Sequence, residues 1–466
     1  MGGDDGRLVH LTLVTPSGRM LGMLPPLQVA LDWENDIPPV VAAARAAYGL
    51  DVTVLRMRWV EGFEAGGPIG YLAECAAAPD GMPLEAGEPE SDQPLRAPWA
   101  RPGGPAATLR WADGVLAGAG RIRRGAAVQH RTWGLSGIWR LETASGAVWC
   151  KQVPGFFAHE GAVIGWLNRV VPGAGPELVG AEGDRLITVD IPDSQLWDPP
   201  IEVRQRSLRT LLGVQAVALD RIEELLALGV PDRRPAWLSE RIAATAAAWR
   251  GELARAEQAA LDRFVDGLPE RFAEVAACGV PDTLVHGDFH SGNVLTHDAG
   301  QTIIDWTDAQ IGHPALDLAA FLVGLPDEEA GTLRDQWADH WRTVVPACEP
   351  ERAAELMQPV AAFGQATAYD MFIRLAEPDE RIWHAKYALR WLRRAIATAE
   401  TPVAAGGSVT AGGSAAGESA VDGSAVDGSA VAGESAAGES AADESAVDGS
   451  AVAGESVAGG SVVLGG

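Results

Sequence analysis

The chain has 466 residues, of which 47% are apolar, and a formal net charge of −27 at pH 7. This length suits two or three domains of ~100–200 residues each. The acidic balance disfavours nucleic acid as a partner, because that binding depends on lysine and arginine meeting phosphates.

Apolar runs and cysteines indicate the compartment. No stretch approaches the ~20 uninterrupted apolar residues of a membrane helix. The N-terminus carries acids where a signal peptide carries lysines, and it lacks a sustained apolar region. The four cysteines are scattered and form no Cys-x-x-Cys pair, which argues against a zinc site or a disulfide framework. A cytoplasmic protein with reduced thiols and no membrane partner is therefore expected.

Residues 1–78 are predicted to form a small α/β domain. Strand patterns occur at 8–14, 19–24, 51–58 and 69–73. Between them, Asp36 can cap a helix that Gly49 closes. The order of elements resembles a Nudix hydrolase core, but this helix carries no carboxylate, whereas the magnesium-dependent hydrolases need several glutamates there. A degenerate Nudix-like domain, structural or substrate-gating, is therefore expected.

Residues 79–107 are rich in proline, glycine and acids, which predicts an exposed linker. A region of β character follows at 108–200. Its strand patterns occur at 126–132, 137–142, 147–153 and 186–191.

Lys151 ends the third of these strands, in a chain whose basic residues are nearly all arginine. Glu160 is the first interior acid of the helix pattern that follows. It is a candidate ion-pair partner for Lys151, although an acid there also favours the helix dipole. A lysine that simply extends its head into solvent from a strand end is the alternative for Lys151.

The remainder is helical up to a repetitive tail. Apolar spacings of three and four predict helices across 201–402, including two within 237–276. Residues 403–466 repeat Ser-Ala-Val-Asp-Gly and close variants, and they contain no aromatic or basic residue. Such a segment cannot bury enough surface to offset the entropy of ordering, so a disordered tail is expected.

The most informative segment runs from Leu284 to Leu322. A short apolar strand leads into His286-Gly287-Asp288, Asn293 lies five positions past Asp288, and a hairpin pattern then ends at Asp305. Side chains at the ends of connected strands can be aimed into one pocket. Phosphoryl transfer needs a carboxylate that orients a hydroxyl, and an amide oxygen and second carboxylate for magnesium. The alternative is that all three are turn and cap residues.

These residues resemble the aminoglycoside phosphotransferase/choline kinase-like family. The resemblance rests on the His-Gly-Asp motif with Asn293, on Ile-Asp-Trp around Asp305, and on Pro-Ala-Leu-Asp-Leu around Asp317. It implies an α+β, protein-kinase-like bilobal fold. The β-rich N-lobe would be 108–200 and the helical C-lobe 201–402, with the small N-terminal domain and the disordered tail outside them.

The resemblance also implies roles. Asp288 would be the catalytic base, Asn293 and Asp305 the Mg²⁺ ligands, and Lys151, positioned by Glu160, the partner of the nucleotide phosphates. The phosphate-covering loop would be Trp133–Gly137, where Ser136 and backbone amides could approach phosphate oxygens. A plain hairpin turn explains that loop almost as well.

Two further residues are expected to support the loop. His286 would be a hydrogen-bonded brace rather than a proton carrier. Asp317 would brace the catalytic loop, or serve only as an acid favouring the helix dipole.

The expected activity is an ATP- and Mg²⁺-dependent transfer of the γ-phosphate to a hydroxyl of a small molecule, of aminoglycoside, amino alcohol or sugar type. GTP could replace ATP. The alternative is a catalytically weak or inactive kinase-like protein that binds a nucleotide or metabolite.

Overall fold

The computed structural model describes residues 6–31, 33–61, 66–78, 84–87, 92–192, 194–298 and 300–400. The predicted tail at 403–466 and part of the predicted linker lie outside these residues. In the described part of the chain, none of the helices combines the length and the continuous apolar character that a membrane crossing demands.

The N-terminal domain is a mixed sheet with one helix packed on it. Its elements are β1 (Arg7–Val14), β2 (Met20–Met23), β3 (Leu27–Val29), α1 (Pro38–Tyr48), β4 (Thr53–Val60) and β5 (Ile69–Glu74). The strand order is β2-β1-β5-β4, β3 also pairs with β1, and β1 and β5 are parallel. Helix α1 ends at Gly49, whose φ of 65° suits glycine. The Nudix-like character of this domain stays a prediction.

Part of the predicted linker is packed. A 3₁₀ turn (Pro98–Ala100) precedes α2 (Gly104–Gly118). Trp99 is only 1% exposed, and its indole N–H donates to the backbone oxygen of Trp133 at 3.1 Å. Burying a large aromatic ring outweighs the exposed character of the proline- and glycine-rich residues around it.

The N-lobe is an antiparallel sheet crossed by one helix. Its elements are β6 (Val128–Trp133), β7 (Ser136–Leu141), β8 (Val148–Gln152), α3 (Glu160–Val170), β9 (Leu178–Glu182) and β10 (Arg185–Val189). The strand order is β6-β7-β8-β10-β9. Buried Trp139, Cys150 and Ile187 form part of the core that joins the sheet to α2.

The C-lobe is mostly helical. Its helices are α4 (Ile201–Ala218), α5 (Ile222–Ala227), α6 (Pro235–Trp249), α7 (Arg255–Asp266), α8 (Leu268–Ala277), α9 (Ala315–Phe321), α10 (Asp327–Val344), α11 (Pro350–Leu375) and α12 (Ile382–Glu400). The prediction of two helices within 237–276 is wrong. This part of the described chain holds α6, α7 and α8, because Gly267 and Pro269 end one helix and begin the next.

Short strands lie within and beside the segment 284–322. They are β11 (Ser194–Gln195), β12 (Thr283–Val285), β13 (Val294–His297), β14 (Gly300–Ile303) and β15 (Gln310–Gly312). Strand β12 pairs with β15, and β13 pairs with both β11 and β14. The β-rich N-lobe and helical C-lobe confirm the expected α+β fold class, while the domain boundaries stay predictions.

One glutamine joins the N-terminal domain to the N-lobe. The side-chain amide of Gln129 in β6 donates to the Val54 oxygen at 2.6 Å and accepts from the Val54 nitrogen at 2.9 Å. Thr132 adds a bond from its hydroxyl to the Leu55 oxygen at 3.0 Å. Side chains of β6 thus satisfy backbone groups of β4, an edge strand that would otherwise present them unpaired.

Gln129→Leu should lower the free energy of unfolding by about 1–3 kcal/mol, because both backbone groups of buried Val54 lose their partner. Urea unfolding followed by far-UV circular dichroism measures the loss. Val128→Ala, on the same strand but 48% exposed, is the matched control and should stay within about 0.5 kcal/mol of wild type. Equal losses of unfolding free energy in the two variants would contradict a stabilising contact between Gln129 and the Val54 backbone.

Candidate active site

A cleft of about 470 Å³, including its open mouth, lies between the N-lobe sheet and the β13–β14 hairpin. Aliphatic side chains form part of its wall: Ile164, Leu186, Leu295 and Ile304. The segment 188–191, which includes the end of β10, also lines it, as do the charged side chains of Lys151, Glu160 and Asp305. The cleft therefore offers an apolar surface together with a charged region.

The charged region is a buried ion cluster centred on Lys151. Its Nζ donates to Glu160 Oε1 at 2.9 Å and to Asp305 Oδ1 at 2.6 Å. Burial alone would lower the pKa of Lys151, but Asp305 and Glu160 together raise it. Burial raises the pKa of Glu160 to about 7, although Lys151 acts in the opposite direction. The structure thus brings Lys151, Glu160 and Asp305 together.

Asp305 adopts an unusual backbone conformation. Its φ of 60° and ψ of 65° make it the one non-glycine residue with positive φ in the described part of the chain. Asp tolerates this left-handed region better than most residues, but it still carries a cost. The hydroxyl of Thr307 donates to Asp305 Oδ1 at 2.8 Å. The strained turn directs the carboxylate to Lys151 at the end of β14.

Asp288 and Asn293 are in direct contact. Asn293 Nδ2 donates to the Asp288 backbone oxygen at 3.0 Å and lies 3.4 Å from Asp288 Oδ2. Both of these partners are acceptors, so the amide nitrogen must face them. Asn293 Oδ1 is buried and has no hydrogen-bond partner among the described atoms.

Asn293 and Asp305 lie at the same end of the β13–β14 hairpin. The Ile304 nitrogen donates to the Asn293 backbone oxygen at 3.0 Å, and Asp305 follows Ile304 directly. An unpartnered amide oxygen near a carboxylate suits Mg²⁺, which prefers oxygen ligands and keeps several waters. No group of three His, Cys, Asp or Glu side chains in the described residues could hold a metal. Asn293 Oδ1 and the Asp305 carboxylate are oxygen donors of the kind that Mg²⁺ prefers, and their role as ligands stays a prediction.

His286 connects the 286–293 loop to the backbone just before Asp305. Its Nδ1 accepts from the Asp288 nitrogen at 3.3 Å, so its proton lies on Nε2, which donates to the Ile304 oxygen at 2.9 Å. Burial lowers the pKa of His286 to about 4, so the ring is neutral near pH 7. The geometry suits a brace for the loop.

Asp317 fixes the other side of the same loop. Its two carboxylate oxygens accept from the backbone nitrogens of His286 and Gly287, each at 2.9 Å. Burial raises the pKa of Asp317 to about 7, although these bonds favour the charged form. Gln215 Nε2 also donates to Asp317 at 2.9 Å. Sequence reasoning missed Gln215, whose signal is a polar residue within the apolar stripe of α4.

Of the predicted site residues, Lys151, Glu160 and Asp305 line the cavity, whereas Asp288, Asn293 and Ser136 do not. Ser136 is held in a different contact. It is buried, its hydroxyl accepts from the indole N–H of Trp133 at 2.9 Å, and it does not line the cavity. Trp133 and Ser136 pair directly across a tight hairpin turn. The Gly134 nitrogen in that turn donates to Glu380 Oε2 at 3.1 Å.

Lys151→Met leaves two buried carboxylates without their cation, so the free energy of unfolding should fall by about 3–5 kcal/mol at pH 8. Because the pKa of Glu160 in the folded state is about 7, above its ordinary value, the folded protein gains a proton as pH falls through 7. At pH 5 Glu160 is protonated and no longer needs a cation beside it. The loss of unfolding free energy caused by Lys151→Met should therefore be smaller at pH 5 than at pH 8.

Urea unfolding at the two pH values tests this expectation. Lys386→Met, which changes the chain's other lysine on α12, is the matched control and should cost at most about 1 kcal/mol. A loss for Lys151→Met that is the same at pH 8 and pH 5 would contradict the assigned ion cluster.

Comparison with known proteins agrees with this geometry. Residues 155–356, which include Glu160, the 286–293 loop and Asp305, match the model of the Phosphotransferase enzyme family, APH. Among curated proteins, none matches the chain.

Several solved structures are similar to this chain at low sequence identity. A macrolide 2'-phosphotransferase from Brachybacterium faecium is 19% identical, with 64% of this chain and 99% of that chain covered and a TM-score of 0.42. The GDP complex of an aminoglycoside 2'-phosphotransferase-IIIa is 15% identical, with 62% and 98% covered and a TM-score of 0.43. A choline kinase from Cryptosporidium parvum is 12% identical, with 59% and 88% covered and a TM-score of 0.44. Residues 155–356 are thus similar to the phosphotransferase enzyme family, which agrees with the resemblance of the His-Gly-Asp motif.

Proposed function

We propose that this chain transfers the γ-phosphoryl group of ATP, with Mg²⁺, to a hydroxyl of a small molecule of aminoglycoside, amino alcohol or sugar type. The family match supports phosphotransferase chemistry. The observation that carries the residue-level proposal is the buried, unpartnered oxygen of Asn293. It belongs to the residue that contacts Asp288 and lies at the same hairpin end as Asp305.

Asp288 is the proposed base. The residue is 6% exposed, and its backbone is held by the Nδ1 atom of neutral His286. Its carboxylate would orient the acceptor hydroxyl and take its proton as the oxygen attacks the γ-phosphorus. The bond from the γ-phosphorus to the bridging oxygen breaks, and ADP leaves. Positioning and electrostatics supply most of the catalysis in such a reaction.

Lys151 and its partners form the proposed phosphate site. In the structure Lys151 contacts both Glu160 and Asp305, so nucleotide binding would exchange the Asp305 contact for phosphate oxygens while Glu160 keeps the ammonium in place. When bound, Mg²⁺ would neutralise phosphate charge. Asn293 Oδ1 and the Asp305 carboxylate are its proposed protein ligands.

The aliphatic wall of the cleft would contact the nucleotide base. Leu186 on β10 and Ile164 on α3 come from the N-lobe. Leu295 and Ile304 come from the β13–β14 hairpin of the C-lobe. Apolar walls with a few placed polar groups are typical of cofactor sites. GTP also combines a purine base with a triphosphate, so it is a second candidate phosphoryl donor.

A non-catalytic nucleotide or metabolite binder is the second candidate function. The hairpin around Gly134 favours it, because Glu380 occupies an amide that would otherwise be available to a phosphate oxygen. The buried Asp288, Asn293 and Asp305 favour the enzyme. Metal-dependent turnover of ATP on a panel of aminoglycosides, amino alcohols and sugars separates the two functions.

Asp288→Ala should reduce phosphoryl transfer by about 10²–10⁴-fold, the usual contribution of a positioned base, while nucleotide affinity stays near wild type. Transfer is measured with γ-labelled ATP, and affinity by calorimetry with a nonhydrolysable analogue. Asp298→Ala, on the exposed turn of the β13–β14 hairpin, is the matched control and should leave phosphoryl transfer unchanged. Wild-type transfer rates in Asp288→Ala would exclude the assigned base.

A further inference from the structure

The turn between α11 and α12 is acidic, and two of its carboxylates are buried. Glu377 is 4% exposed and Glu380 is 2% exposed, although carboxylates at a turn normally face water. Burial, with a smaller effect from Glu377, raises the pKa of Glu380 to about 8, while Arg56 acts in the opposite direction. Two buried acids so close together are costly to the fold.

Glu380 reaches the turn of the β6–β7 hairpin in the N-lobe. Its Oε2 accepts from the Gly134 nitrogen at 3.1 Å. A Cβ at position 134 would lie 3.4 Å from that oxygen and 3.5 Å from the Cβ of Glu380, so the hairpin turn and Glu380 are in van der Waals contact. The C-lobe thereby holds the hairpin that sequence reasoning identified as the phosphate-covering loop.

Arginine side chains from outside both lobes hold the acidic turn. Arg56, on β4 of the N-terminal domain, donates to Asp379 Oδ2 at 3.0 Å, and its Nε lies 3.8 Å from Glu377 Oε1. Arg96 donates to Glu377 Oε2 at 2.9 Å. Arg56, Arg96 and Glu377 are buried, whereas the side chain of Asp379 is 46% exposed. Removing one partner of a buried charge pair is strongly destabilising, so the contacts to Glu377 are the costly ones to lose.

The N-terminal domain therefore contacts both lobes from one strand. Val54 of β4 bonds to Gln129 of β6, and Arg56, two residues later, bonds to the C-lobe turn. Strand β6 leads directly into the hairpin turn at Gly134. If the β6–β7 hairpin moved away from the C-lobe, the hydrogen bond between Gly134 and Glu380 would break. If the two lobes moved apart, either the Val54–Gln129 contact or the contact of Arg56 with the 377–380 turn would be strained.

We propose that the N-terminal domain acts as an interlobe clamp, which positions the β6–β7 hairpin against the C-lobe through Arg56, the 377–380 turn and Gly134. This inference rests on the proposed function in one respect, namely that the hairpin covers a bound nucleotide. Arg56 and Glu380 are positioning residues, since they act on the nucleotide site through the hairpin. The clamp gives the N-terminal domain, whose helix lacks hydrolase carboxylates, a role in the kinase itself.

Hydrogen–deuterium exchange of the full chain tests the clamp without requiring activity. In Glu380→Ala and in Arg56→Ala, the amides of 133–137 should exchange about two- to tenfold faster, the range that one hydrogen bond contributes. Glu380→Gln keeps an acceptor for Gly134 and should behave as wild type. Asp335→Ala, on the exposed face of α10, is the matched control and should leave the hairpin unchanged.

A second readout is nucleotide binding. Both alanine variants should raise the KM for ATP and the Kd of a nonhydrolysable analogue by about two- to tenfold, with a smaller change in kcat. Should either alanine variant fail to fold, Glu380→Met or Arg56→Met removes the same polar contact while keeping more of the side-chain volume, and should show the same faster local exchange.

The outcomes are distinguishable. Unchanged hairpin exchange in both folded alanine variants overturns the clamp. Faster exchange in Glu380→Ala alone also overturns it, because the hairpin would then be held without the N-terminal domain. Absence of nucleotide binding in the wild type overturns the proposed function, while the exchange experiment still decides on the clamp.

Discussion

The ammonium group of Lys151 connects three separate segments of the chain at one point. It lies on β8, it contacts Glu160 at the start of α3, and it contacts Asp305 at the end of β14. Removing these charges from water costs several kcal/mol per ion, and only short contacts within the cluster offset that cost. The position of α3 against the sheet and the position of the C-lobe hairpin against the N-lobe therefore both depend on this cation.

Other energetically unfavourable features lie at the same end of the β13–β14 hairpin. Asp305 has a left-handed backbone, and Asn293 buries an amide oxygen without a described partner. Strained residues and unsatisfied buried groups persist where the surrounding structure enforces them, and they are frequent at functional sites. The side chains of His286 and Asp317 hold this region in place, since each accepts a hydrogen bond from the backbone of the 286–293 loop. Together these contacts form a rigid frame around groups that are poorly satisfied without a ligand.

The sequence predicted what depends on local pattern. Asp288 and Asn293 are five positions apart, so one loop determines their contact, and Lys151 and Glu160 are separated by a single strand-to-helix connection. Helix α1 was recognisable from its prolines and from Gly49, because proline and glycine restrict or permit particular backbone angles.

Long-range contacts could not be predicted in this way. Gly134 and Glu380 are 246 positions apart, and nothing in either neighbourhood indicates the other. The burial of Trp99 depends on Trp133 and the β6–β7 sheet, which a local composition of proline and glycine does not report. Ser136 was placed at the cleft by analogy with a loop, whereas its side chain is held by the neighbouring Trp133. In each case tertiary packing, rather than the local preference of the segment, determines the structure.

The most direct test of the convergence of Lys151, Asn293 and Asp305 on one nucleotide site is a calorimetric titration. The full chain is titrated with a nonhydrolysable ATP analogue, with and without Mg²⁺, in the wild type and in Asn293→Ala. The structure leads us to expect that Mg²⁺ tightens binding by at least about tenfold in the wild type, equivalent to about 1.4 kcal/mol, and that Asn293→Ala loses most of this gain. Equal affinity with and without Mg²⁺ in the wild type would contradict the assigned site.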